Sequence, residues 1–175
     1  MREQLVAWAG DCRVEGDVEL GEGRLSDRVN AAELLTFFNA RLRALEDGRE
    51  VTVDELEVER RELHVIEVQG RRGSPERRLR TVTDRVEVEV GPFVVTGSLH
   101  RGPSTQPLAP LAGWARFVPL TDAVIRVRGS VEAPDRQEVV LVNRERISRT
   151  ERVGDIVVQA TAPWTSLPGQ VPDGG

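Results

Sequence analysis

Cys12, His64 and His100 are the only thiol and imidazole side chains in this sequence, and their spacing decides what chemistry they could support. No two of them lie at i, i+3 or i, i+4, and Cys12 stands outside any C-x₂-C frame, so a zinc site has no local scaffold. Ser26, Asp27 and His64 are the residue types of a hydrolytic triad, but no nucleophile elbow surrounds Ser26. Ser26-Asp27 reads instead as a turn-capping pair. Carboxylates are dense between residues 46 and 67: Glu46, Asp47, Glu50, Asp54, Glu55, Glu57, Glu59, Glu62 and Glu67. Acid–base catalysis needs one member of a pair desolvated, and these read as a solvated acidic face. Neither G-x₄-G-K-[ST] nor a G-x-G-x-x-G after a strand is present; GEGRLSD (21–27) has two close glycines and lacks the third. The residues therefore assign no catalytic group, no cofactor and no metal, and the expectation is a non-enzymatic protein.

Two features offer contact chemistry instead. Arg71, Arg72, Arg77, Arg78 and Arg80 crowd the stretch GRRGSPERRLR, and guanidinium forks bind phosphate or carboxylate bidentately. No aromatic is interleaved for base stacking, so a nucleic-acid surface lacks its usual platform. The acidic 46–67 stretch is the other partner such a cluster could meet, within the chain or across a subunit boundary. Trp164 stands in a Pro- and Gly-rich tail, where a large apolar ring gains by docking onto its own chain or a partner. Trp114, in the loop of the second half, is expected to cap that half's core.

Overall charge restrains these readings. The 175 residues carry 24 cations, all Arg, against 29 carboxylates, for a net charge of −5. Such a chain has no general attraction to nucleic acid or anionic lipid. One cysteine excludes an intramolecular disulfide and suits a reducing compartment. MREQLVAWAGD lacks the apolar core of a signal peptide, and no apolar run approaches the ~18 residues of a spanning helix. A cytoplasmic protein with no membrane partner is expected.

The elements that would position these groups come in two sets. At offset 81, Gly10, Val14 and Gly16 meet Gly91, Val95 and Gly97. At offset 83, Leu25, Ala32, Ala40 and Arg43 meet Leu108, Ala115, Ala123 and Arg126; at offset 84, Val58, Arg60 and Glu67 meet Val142, Arg144 and Glu151. Ordered offsets that grow by small loop insertions predict an internal duplication, with repeats over roughly residues 3–68 and 82–153. The predicted organisation is a β-barrel repeat at 1–69, an Arg-rich linker or hairpin tip at 70–81, a second repeat at 82–160 and a tail at 161–175.

Strict alternation in VEVEV (86–90), partial alternation in TVDELEVE (52–59) and the apolar run EVVLV (138–142) read as strands. NAAELLTFFNARLRALEDG (30–48) is helical by local rules, with Asn30 and Glu33 as a capping box and Gly48 as a stop. Its counterpart RFVPLTDAVIRV carries Pro119 and β-branched residues, which predicts strand. Equivalence of the halves decides for strand, with Thr36, Phe38, Ala40, Leu42 and Ala44 on one face, matching Pro119, Thr121, Ala123, Ile125 and Val127. Helical turns are expected only in the loops RLSDRVNAAE and STQPLAPLAGW. The expected class is mainly β: two tandem small barrels of SH3-like or Sm-like type. Modules of ~60–70 residues bury only ~60% of their unfolded surface and need company.

RLSDRVN (24–30), FVPLTDA (117–123) and VNRERI (142–147) resemble the R-L-S-D-x-L-N, F-x-x-L-T-D-A and V-N-R-x-x-I motifs of a family of short bacterial proteins of unknown function. Val29 replaces the Leu of the first motif, and PLAPLAG stands where the second half would carry it. The resemblance implies fold and duplication and carries no activity. A weaker similarity, to the Sm fold, is at the level of architecture and does not establish RNA binding. The function expected is a binding or assembly module acting through protein–protein contacts or homo-oligomerisation, with Sm-like nucleic-acid binding through the Arg cluster as the alternative.

Overall fold

A computed structural model describes residues 2–68 and 81–154. The first set of elements is β1 (Arg2–Ala9), β2 (Cys12–Glu19), helix α1 (Leu25–Ala31), β3 (Leu34–Ala44), β4 (Glu50–Glu59), a 3₁₀ turn at Arg60–Glu62 and β5 (Leu63–Glu67). The second is β6 (Val82–Val90), β7 (Phe93–Arg101), a 3₁₀ turn at Ala109–Ala112, β8 (Phe117–Val127), β9 (Asp135–Asn143), a 3₁₀ turn at Arg144–Arg146 and β10 (Ile147–Arg152). The protein is mainly β, as its alternating sequence requires. In β6, Val86, Val88 and Val90 are fully buried while Glu87 and Glu89 between them reach solvent.

All ten strands join one antiparallel sheet in the order β10-β6-β7-β8-β9-β5-β1-β2-β3-β4. Each half contributes the same internal order, with its fifth strand first and its fourth strand last. The described strands do not close into barrels, because the strand that would close the first half pairs elsewhere: β5 bonds to β9 rather than to β4. Two cores result, and each borrows from the other half. Trp8 and Val65 pack with Val88, Phe93, Leu120 and Val142, while Phe117 and Leu141 pack with Leu5, Leu35 and Phe37.

Residues 34–44 are strand, and α1 ends before them at Ala31. Ala32 is already extended, and Leu34, which a helix would set on one apolar face with Leu35, Phe38, Leu42 and Leu45, is 45% exposed in the strand. The strand's core face differs from the sequence expectation in its first half. Leu35 and Phe37 are buried there, not Thr36 and Phe38, and the face changes phase before Ala40. Asn39 causes the shift, since its left-handed backbone (φ 50°) inserts one residue into the alternation. Asp122 (φ 48°) does the same in β8, burying Leu120 in place of Thr121. Ser26 and Asp27 lie inside α1, whose N-cap is Arg24 with no capping side chain, so they are first-turn residues. Trp114 is 90% exposed and caps nothing.

The paired glycines sit opposite these bulges. Pairing between β2 and β3 shifts register across Gly16, and pairing between β7 and β8 shifts across Gly97. A Cβ on Gly16 would lie 2.9 Å from the Phe38 carbonyl oxygen, and one on Gly97 would lie 2.9 Å from the Leu120 Cβ. Close backbone approach at the bend is therefore the reason for glycine at both places. Gly16→Ala is expected to lower stability by about 1–3 kcal/mol through overpacking against a backbone that cannot move aside. Urea unfolding measures it, and an unchanged midpoint would show that the bulge can relax.

Candidate functional site

The arrangement that most distinguishes this sheet is the contrast between its central seam and its two ends. At the seam Val65, Ile66 and Glu67 of β5 pair with Val142, Leu141 and Val140 of β9. Continuing the ladder, the Val68 N–H donates to the Val139 carbonyl at 3.1 Å. All five residues of β5 are buried, as are Val140–Asn143 of β9. The Asn143 amide donates to the Leu63 carbonyl at 2.8 Å, and the Arg146 guanidinium donates to the Arg61 carbonyl at 2.9 and 3.0 Å. Asn30 adds a clasp from α1: its side chain accepts from the Phe117 N–H at 2.8 Å and donates to the Phe117 carbonyl at 3.0 Å. It therefore spans the halves instead of forming the capping box that its spacing suggested.

One ionisable group is sealed into the seam. Glu67 is 1% exposed and accepts from the Trp8 indole N–H at 2.6 Å, with the Arg13 Nε at 3.9 Å. Burial raises its carboxyl above the ordinary carboxylate range, opposed by the Trp8 hydrogen bond. Trp8 meets Phe93 edge-on at 5.5 Å between ring centroids, and His64 meets the same ring at 5.9 Å. Burial holds His64 below its usual pKa, with Arg146 acting in the same direction. Beside Trp8 a cleft of about 340 Å³ opens between the halves, where Arg43 pairs with Glu132 at 3.3 Å.

The ends of the sheet are β4 and β10, and among the described residues no strand pairs with the outer side of either. No residue of β4 or β10 is buried. β4 presents Glu50, Asp54, Glu55, Glu57 and Glu59 with no cation. β10 and the turn before it present Arg144, Arg146, Arg149 and Arg152 beside Glu145 and Glu151. Arg152 pairs with buried Asp84 at 3.1 Å, and Arg149 with Glu89 at 3.6 Å, both on the adjacent β6. Asp84 is held below the ordinary carboxylate range, chiefly by its hydrogen bond from Arg101 and further by Arg152.

The residues that chemistry singled out are dispersed. His100 bridges Thr81 and Thr121 at 3.2 and 2.7 Å. Burial, with Asp11 beside it, pushes the Cys12 thiol up to about 11, far from a reactive thiolate. Among the described residues no group of three or more His, Cys, Asp or Glu is arranged to hold a metal. No described helix is long and apolar enough to cross a membrane. Arg71, Arg72, Arg77, Arg78, Arg80 and Trp164 lie outside the described residues. The sequence reading set Glu67 on a solvated acidic face, whereas it is buried in β5 among apolar residues, and it missed Asn143; an acid inside the run LHVIE, and the Asn that ends VVLVN, were the available signals. No family profile, curated protein or solved structure matches this chain.

Glu67 gives the seam a pH dependence whose sign can be worked out. A carboxyl raised in the folded state binds its proton more tightly there than in the unfolded chain. Its contribution is greatest at low pH and is lost as pH climbs from about 4.3 through the folded value. Glu67→Gln keeps an acceptor for Trp8 without the charge, so its stability should lack that decline and match or exceed wild type at neutral pH. Glu67→Ala strands the indole N–H and should cost about 1–3 kcal/mol at low pH, where the wild-type carboxyl is protonated, and less as pH rises. Denaturant midpoints across the range check both; parallel curves for wild type and the Gln variant would contradict the assignment.

Proposed function

We propose that this chain is a non-enzymatic assembly module, built from two copies of one small β unit, that recruits protein by adding strands to the ends of its sheet. The observation that carries this reading is the exposure of β4 and β10, each of which offers a row of backbone donors and acceptors on its outer side. Such edges accept an extended segment through main-chain bonds, and the alternate side chains set which segment fits. Large proteins bury or cover long edges, since exposed ones template unwanted pairing. Retaining two of them, each strongly charged, fits a use for them.

Common construction of the halves is supported by position-by-position recurrence. The bulge residues Asn39 and Asp122 fall 83 apart, as do the carbonyls of Glu33 and Arg116 that receive the N–H groups of Arg60 and Arg144. A barrel-like unit in each half is the finer reading, with the bulges bending the sheet. The dispersal of the candidate nucleophiles and bases, with Ser26 and Asp27 in α1, Cys12 in β2 and His64 in β5, supports assigning no catalysis.

A display library of extended peptides of about ten residues tests the reading. Selected peptides should slow amide hydrogen exchange in β4 or β10 and leave the β5·β9 seam unchanged. Thr150→Pro should abolish binding at β10. Its N–H points outward, because Val153 two positions past Glu151 donates inward to Arg85, so the substitution spares the bonds to β6. No enrichment, or protection elsewhere, would remove the proposal.

A further inference from the structure

The seam and the free ends are the same kind of surface. Inside the chain, the fourth strand of the second half (β9) pairs antiparallel with the fifth strand of the first half (β5). What remains open among the described residues is the fourth strand of the first half (β4) and the fifth strand of the second (β10). One copy therefore ends in the two surfaces whose counterparts it has already joined in its own middle. Shape alone permits the step to repeat between molecules. We infer that β10 of one copy pairs with β4 of the next, continuing the ten-stranded sheet head to tail; this rests on the edge-strand reading above and names its partner as a second copy.

The register follows from the seam. Val65↔Val142, Ile66↔Leu141 and Glu67↔Val140 map through the 84-residue offset onto Arg149↔Val58, Thr150↔Glu57 and Glu151↔Leu56. The seam's bond from the Val68 N–H to the Val139 carbonyl maps onto Arg152 and Glu55. This places Arg152 opposite Glu55 and diagonal to Glu57 on one face. Arg152 is 55% exposed while paired with Asp84, and a guanidinium has donors to share with a second carboxylate.

Charge selects this pairing over its rivals. β4 against β4 would set five carboxylates against five, whereas β10 carries Arg149 and Arg152 against the single acid Glu151, so the head-to-tail combination joins edges of opposite net sign. The intermolecular step is weaker than the seam. Asn143 and Arg146, which donate across the seam, have Glu59 and Glu62 as their counterparts on the β4 side. By the same offset Ile147 and Glu145 stand in for Leu63 and Arg61, so Glu59 and Glu62 meet Ile147 and Glu145 of the neighbouring copy and neither bond has an equivalent; attraction between Arg152 and the acids of β4, which salt screens, replaces apolar burial. A surface that joins unlike patches propagates into a closed ring of two or more copies or an open filament.

Light scattering and sedimentation of the full chain test this. Association should strengthen with concentration and weaken at least about tenfold in affinity between about 0.05 and 0.5 M salt. Thr150→Glu opposes Glu57 directly and should weaken it about fivefold, as should Glu57→Arg against Arg152. Combining both in one chain should recover association, whereas Thr150→Glu with Glu50→Arg, at the far end of β4 from position 150's partner, should not. Thr150→Pro should leave a monomer with unchanged circular dichroism. A wild-type chain that stays monomeric at low salt, or a two-fold dimer indifferent to these changes, overturns the inference. If selected peptides still protect the edges of a monomeric chain, self-pairing alone falls; if neither occurs, the edge-strand reading falls with it.

Discussion

A β-strand has two rows of backbone donors and acceptors, and a strand at the end of a sheet satisfies only one of them. That constraint organises this molecule. Each half supplies five strands, hence two ends, and the pairing of β5 with β9 removes one end from each half. The aliphatic side chains along that seam are fully or almost fully buried, each contributing about 1.5–3 kcal/mol relative to exposure. The cores are also interlocked across it. Without the second half, Leu5 and Phe37 lose Phe117 and Leu141; without the first, Phe93 loses Trp8 and Val65. Units this small are marginal when isolated, and the exchange of residues makes their stabilities interdependent.

Closure within a half would require curling five strands until β4 meets β5, which demands tight bending. Each half bends at two register shifts, one across Gly16 or Gly97 and one where its fifth strand meets its first. The outcome is one extended sheet with apolar pairing at its middle and charged strands at its ends.

Much of this was legible because the two halves repeat the same strand order and place their left-handed bulge residues 83 positions apart. Gly16 and Gly97 mark equivalent bends, and Pro119 in the counterpart of residues 34–44 outweighed a locally helical stripe there. The first growth in offset, from 81 to 83, falls between β2 and β3, where α1 in one half stands for a 3₁₀ turn in the other. What alternation could not reveal was phase beyond the bulge, since Asn39 is unremarkable as a letter and decisive as a left-handed residue. Nor could it reveal which strand β5 pairs with. Leucine, valine and isoleucine satisfy a barrel seam and an inter-half seam equally well. The contact residues singled out at 71–80 and 164 depended on composition alone, whereas the charged edges depend on topology.

The edges gain their meaning from comparison with the seam, not from charge alone. Charged side chains on terminal strands commonly serve to prevent pairing, and like signs on both ends would have done so here. The sequence instead places acids without cations on β4 and a surplus of arginine around β10. Like charge discourages β4 from meeting itself, and the opposite net sign around β10 leaves the two edges suited to each other. An apolar edge equivalent to Val140–Val142 would pair strongly and with little discrimination. Charge trades that strength for specificity and reversibility, so the same backbone geometry can be permanent within the chain and conditional between chains.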